Sequence, residues 1–223
     1  MTKHFLTLAD FGQAELRRYL KRAIELKEET RSGKRNTSLE GKILGLVFEK
    51  PSLRTRVSFE VGMRQLGGDS IYLSAQEVQL GVRESVADVA RNLERMVDGI
   101  VLRTFRHEVA EELARNSSIP VINGLTDLVH PCQVFSDMLT VLEKKGRLKG
   151  VRVGYVGDGN NVCHSLMLAA VGLDRLGERV GLTTVLGNQT LSALVGLVAY
   201  ILILVPVLIT ALNALGIESL TRP

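Results

Sequence analysis

A chain of 223 residues, 45% of them hydrophobic, is long enough to bury one large core or two small ones. The net charge of +4 is only mildly basic, cations and acids are interleaved as in ELRRYLKRAIELKEE, and aromatics are 4%, which together argue against a nucleic-acid-binding surface. Cys132 and Cys163 offer no disulfide framework and no metal-ligand spacing, and MTKHFLTLADFG lacks a signal-peptide core, so a reducing, cytoplasmic setting is expected for the N-terminal part, with no metal or cofactor.

The first element is an amphipathic helix within TLADFGQAELRRYLKRAIELKEETRSGK, where Leu16, Leu20, Ala23 and Leu26 recur at helical spacing. KILGLVF follows as a short apolar strand. After Pro51 a second helix is predicted from about Arg54 to Leu66, with Gly67 and Gly68 where a C-terminal cap belongs. The alternation then repeats. SIYL, GIVLR, PVIN and VRVGYVG read as strands, and RESVADVARNLERM, EVAEELARN, QVFSDMLTVLEKKG and NVCHSLMLAA as helices. Short apolar strands alternating with charged helices predict an α/β fold, a doubly wound parallel sheet covered on both faces.

In such a sheet, ligands bind outside the carboxyl ends of the strands. Three connections bring Arg54, Arg56, Arg103, His130 and Gln133 to that edge. Residues 52–56, SLRTR, also open a helix whose unpaired N–H groups and positive dipole end favour an anion. Ser52 and Thr55 add hydroxyls, and arginine forks match phosphate oxygens in pairs. A capped helix carrying surface arginines has the same local pattern, so the convergence is more informative than the stretch alone. His130 is expected to stay neutral beside two or three guanidiniums and to donate one hydrogen bond to a carbonyl. GDGNN, residues 157–161, is not a GxGxxG turn, and Cys132 has no paired base and reads as a packing residue.

Taken together, FEKPSLRTRVSFE, LRTFRHE, NGLTDLVHPCQ and YVGDGNNVCHSLM resemble the aspartate/ornithine carbamoyltransferases, and FEKPSxRTR, HPCQ and GDGNN resemble the ornithine branch. The resemblance runs from about residue 4 to residue 170. It implies a carbamoyl-phosphate-binding domain over 1–148 and the truncated start of an amino-acid-binding domain over 149–170. Ser52, Leu53, Arg54, Thr55 and Arg56 would grip the phosphate. Thr55, Arg103 and His130 would polarise the carbamoyl carbonyl, Gln133 would hold the carbamoyl amide, and Asn161 would touch ornithine. Gln79 matches a residue that the family lends across a homotrimer interface. The implied partners are carbamoyl phosphate and ornithine, giving citrulline and phosphate in arginine biosynthesis. Preorganised cationic donors suit that chemistry, each worth roughly 3 to 4 kcal/mol against a growing oxyanion.

Beyond residue 170 the resemblance ends, with no D-x-x-x-S-M-G, no H-C-L-P and no late arginine. Val180 to Ile217 carries no charge. This tail, 171–223, resembles a transmembrane-helix repeat of mechanosensitive-channel-like membrane proteins, and Leu191 to Leu215 is long enough to span a bilayer and tether the chain to a membrane. Pro206 would kink such a helix, which membrane spans tolerate. Arg175 and Arg179 before the span and Arg222 after it favour a cytoplasmic N-terminal side. Three readings follow: a carbamoyltransferase chain whose amino-acid domain is replaced or lost, a non-catalytic membrane-anchored binding module, and a join of unrelated reading frames. The first is preferred.

Overall fold

Apolar runs four to six residues long, rich in Ile, Leu and Val, can bury both faces only in a sheet covered on each side. In the computed structural model, which describes residues 3–174, these runs become β1 (Ile43–Phe48), β2 (Asp69–Ser74), β3 (Gly99–Arg103) and β4 (Val121–Leu125). All pairings are parallel, in the order β2-β1-β3-β4. The helices are α1 (Gln13–Arg31), α2 (Leu53–Gln65), α3 (Ala75–Val78), α4 (Val86–Leu93), α5 (His107–Arg115), α6 (Pro131–Lys145) and α7 (Asn161–Asp174).

The period of two along each strand sorts the core into two layers. Leu44, Leu46, Phe48 and Val101 face α2, where Met63 and Phe59 meet them. Val47, Ile100 and Leu102 face the other way, onto Val89 and Ala90 of α4 and Ala110 and Leu113 of α5. The sheet is therefore wound on both faces. A third cluster joins Leu16 and Leu20 of α1 to Val134 and Met138 of α6 and Ala169 of α7. Leu16 and Leu20 are fully buried as expected, whereas Ala23 and Leu26 are half-buried.

Local chemistry sets the ends of α2. The Ser52 hydroxyl accepts the Thr55 N–H at 3.4 Å, so the helix begins at Leu53. Gly67 leaves α2 at φ +85, and a Cβ on Gly68 would lie 2.7 Å from Met63 Cε and 2.8 Å from the Leu39 carbonyl oxygen.

One expected element is corrected. VRVGYVG, residues 151–157, forms no strand. A strand exists only where neighbours complete its hydrogen bonds. This run finds none among the described residues, and Val153, Tyr155 and Val156 lie exposed. The tail expected to span a membrane at 191–215 lies outside the described residues; among the described residues no helix is long and apolar enough to cross a membrane.

Candidate active site

The strand order reverses between β1 and β3, whose outgoing connections lead to opposite faces of the sheet. A crevice opens there at the carboxyl edge. It is a cleft of about 630 Å³ lined from α2 by Ser52, Arg54, Thr55, Ser58 and Phe59, from β3 and β4 by Arg103 and Leu125, and from α6 and α7 by His130, Gln133 and Asn161, among others. Seven of the expected site residues therefore meet: Ser52, Arg54, Thr55, Arg103, His130, Gln133 and Asn161.

The floor of the cleft is the first turn of α2. Ser52 Oγ donates to Thr55 Oγ1 at 2.9 Å, which holds the two hydroxyls together at the positive end of the helix. Gly124 of β4 lies beside Thr55, and a Cβ there would meet Thr55 Cγ2 at an ordinary 3.7 Å but Val101 Cγ1 at 3.0 Å. Leu53 is 79% exposed and is absent from the lining, so only its backbone N–H is suited to an anion.

Charge in the cleft is one-signed. Among the described residues no carboxylate lines it, and neither Arg54 nor Arg103 has an ion-pair partner. Arg103 Nε is buried without a hydrogen-bond partner among the described residues, and burial lowers the pKa of its guanidinium. The imidazole of His130 is pushed down to about 4, first by burial and then by the Arg103 charge, while Asp137 opposes both. His130 is thus neutral at physiological pH as expected, although burial outweighs the neighbouring cations as the cause. Burial also pushes the Cys132 thiol up to about 12, and its Sγ lies 3.3 Å from the Asn123 carbonyl oxygen, so it is an inert packing group.

Two expected residues lie elsewhere. Arg56 Nε donates to Glu60 Oε1 at 2.8 Å, and its guanidinium stacks 3.9 Å above the Tyr72 ring. Gln79 ends α3 in the left-handed region at φ 43 and donates to the Gln76 carbonyl at 3.3 Å. Neither lines the cleft of its own chain.

Sequence reasoning missed how α7 grips the loop before α6. Asn161 Nδ2 donates to the Thr126 carbonyl at 2.8 Å, His164 Nδ1 lies 2.8 Å from the Leu128 carbonyl oxygen, and Ser165 Oγ accepts the His130 N–H at 2.8 Å. Thr126, fully buried, braces the loop from within through His107 Nδ1 at 3.1 Å and the Val129 N–H at 3.2 Å. The available signal was spacing, since Asn161 and Ser165 stand four apart on one helix face.

The comparisons agree with this geometry. The model of the aspartate/ornithine carbamoyltransferase, carbamoyl-P binding domain, matches residues 3–143. An ornithine carbamoyltransferase of Anoxybacillus flavithermus is 56% identical over 168 residues, 75% of this chain and 54% of that protein. One of Thermococcus kodakarensis is 52% identical over 184 residues, 82% of this chain and 58% of its own length. The chain thus spans about half the length of the curated relatives it matches. Among solved structures, ornithine carbamoyltransferase from Pyrococcus furiosus superposes with a TM-score of 0.74 at 51% identity, over 75% of this chain and 53% of that one. That from Thermus thermophilus gives 0.71 at 46% identity, over 78% and 59%. With the parallel sheet, the cationic cleft at its switch point and the family match in agreement, this chain belongs to the aspartate/ornithine carbamoyltransferase family through its carbamoyl-phosphate-binding domain.

Proposed function

We propose that the cleft binds carbamoyl phosphate and supplies the carbamoyl half of an ornithine carbamoyltransferase site, in which the carbamoyl group passes to the ornithine side-chain amine to give citrulline and phosphate. The observation that carries this reading is the convergence of two guanidiniums, Arg54 and Arg103, on the first turn of α2, with no ion-pair partner for either and no carboxylate in the lining among the described residues. The phosphate takes the Leu53 N–H, the Ser52 and Thr55 hydroxyls and Arg54. Arg56 joins it only by leaving Glu60. The carbonyl oxygen takes Arg103, Thr55 and neutral His130, whose donors stabilise the oxyanion as phosphate departs. Gln133 holds the carbamoyl amide, and Asn161, at the start of a second domain that we place from residue 149, faces the amine.

We further infer a homotrimer. Leu53, Val57 and Val61, 79, 45 and 43% exposed, form an apolar stripe along α2, and Ile71 of the edge strand β2 is 47% exposed. Burial between copies suits such a stripe, and Gln79 would then reach a neighbour's cleft. Light scattering behind size exclusion measures this, and a monomer at micromolar concentration overturns it. A cytoplasmic location fits the free thiols of Cys132 and Cys163. Calorimetry of carbamoyl phosphate with the full chain tests the site itself: saturable binding that Arg54→Ala weakens supports it, and no binding refutes it.

A further inference from the structure

Gln133 faces the cleft from the first turn of α6, and its Nε2 donates to Asp137 Oδ1 at 3.0 Å, one turn further along the same helix. A glutamine amide carries a donor on one side and an acceptor on the other, and rotation by half a turn exchanges them. An ionised carboxylate can only accept. The amide atom held by Asp137 must therefore be the nitrogen, which leaves Oε1 as the acceptor for a ligand.

This matters because a carbamoyl group ends in NH2, which offers hydrogen-bond donors. An acetyl group of nearly the same shape ends in CH3, which offers none. Arg54 and Arg103 at the same cleft only donate, so they suit phosphate and carbonyl oxygens alike and do not separate the two ligands. Discrimination by a site comes from polar groups left unpaired with the wrong ligand.

We propose that Asp137 is a specificity-determining positioning residue, which locks the Gln133 amide so that the cleft meets the ligand's NH2 group with an acceptor and prefers carbamoyl phosphate to acetyl phosphate. The proposal rests on the reading of this cleft as a carbamoyl phosphate site. An i,i+4 Gln–Asp pair also supports a helix, but that role alters stability and leaves the ratio of two ligand affinities alone.

The test is calorimetry of the full chain with carbamoyl phosphate, acetyl phosphate and inorganic phosphate. Wild type is expected to bind carbamoyl phosphate about tenfold more tightly than acetyl phosphate. In Asp137→Lys, the ammonium donates to Oε1 and turns the NH2 of Gln133 toward that of the ligand, so the ratio falls to about one. Asp137→Asn accepts either orientation, halves the productive population and lowers the ratio about twofold. Asp137→Glu restores it. Changing the charge moves all three phosphates together, so the ratio isolates the amide. A tenfold ratio retained in Asp137→Lys overturns the proposal alone. If that variant does not fold, an unchanged ratio in Asp137→Asn overturns it. A wild type that does not prefer carbamoyl phosphate refutes the reading of the cleft, and the proposal with it.

Discussion

Ser165 Oγ accepts the backbone N–H of His130 at 2.8 Å and donates its own proton to the Asn161 carbonyl at 2.7 Å. Ser165 is 1% exposed, so this hydroxyl fixes the start of α6 from α7, out of reach of solvent. Ser165→Ala leaves the His130 N–H without a partner, at a cost of about 1–3 kcal/mol. A lower urea midpoint with an unchanged slope is expected. An unchanged midpoint would mean that the hydroxyl is dispensable.

The arginines should separate. Arg54 faces the cleft with no ion-pair partner among the described residues, whereas Arg56 is held by Glu60 and Tyr72. Arg54→Ala removes a charge-assisted contact and should weaken carbamoyl phosphate binding more than about tenfold. Arg56→Ala should weaken it by less, because contact with the ligand must first break an existing pair. Calorimetry on both variants decides, and equal losses would show that Arg56 swings into the cradle.

Stability should fall with acid in a window set by histidines. The folded His130 has a pKa near 4, below the ordinary 6.5, so the unfolded chain binds the proton more readily. Its contribution is complete above the ordinary value and is lost as pH falls toward the folded one. Allowing for its partial exposure, the loss is about 1 kcal/mol between about pH 7 and about pH 5. His4, also lowered by burial and accepting the Val121 N–H at 3.2 Å, adds to the same slope. Urea unfolding at the two pH values measures this, and His130→Gln should flatten the dependence without abolishing it.

Gly124 lies where strand and cleft meet. A Cβ there stands 3.0 Å from Val101 Cγ1 and 3.3 Å from the Leu102 carbonyl oxygen, so both neighbours must give by a few tenths of an ångström. Gly124→Ala should therefore destabilise by about 1–3 kcal/mol, while Thr55, at an ordinary 3.7 Å from that Cβ, keeps its place. A variant with wild-type melting would show that β4 shifts freely.

Transfer to an amine demands more than the cleft supplies. The resemblance assigns only Asn161 of the described residues to ornithine, and its Nδ2 is already engaged by Thr126. One contact cannot orient an amine, a carboxylate and an ammonium together. Lost orientation forfeits roughly 7 kcal/mol or more, about five powers of ten in rate. The 223-residue chain by itself should give negligible citrulline at saturating ornithine in a colorimetric assay. Turnover near one per second would reveal an amine site elsewhere in the chain.

What the sequence determined was whatever depends on near neighbours. Apolar runs, the Ser52 cap and the Gly67–Gly68 exit mark β1 and α2 because hydrogen bonds and side-chain periodicity within a few residues decide them. The parallel sheet was implied by alternation, and with it the edge on which Arg54, Arg103 and His130 gather, whereas the order β2-β1-β3-β4 was not. Tertiary structure decided the rest. VRVGYVG has the pattern of a strand, but pairing requires partners that no local pattern contains. Arg56 sits one turn into an anion-binding helix end, yet Glu60 and the Tyr72 ring, the latter brought in by β2, take its guanidinium away. The neutrality of His130 could be foreseen from its arginines, but its main cause is burial, completed by packing between α6 and α7 more than thirty residues along the chain. Desolvation depends on everything that covers a group, and only the folded chain specifies what covers it.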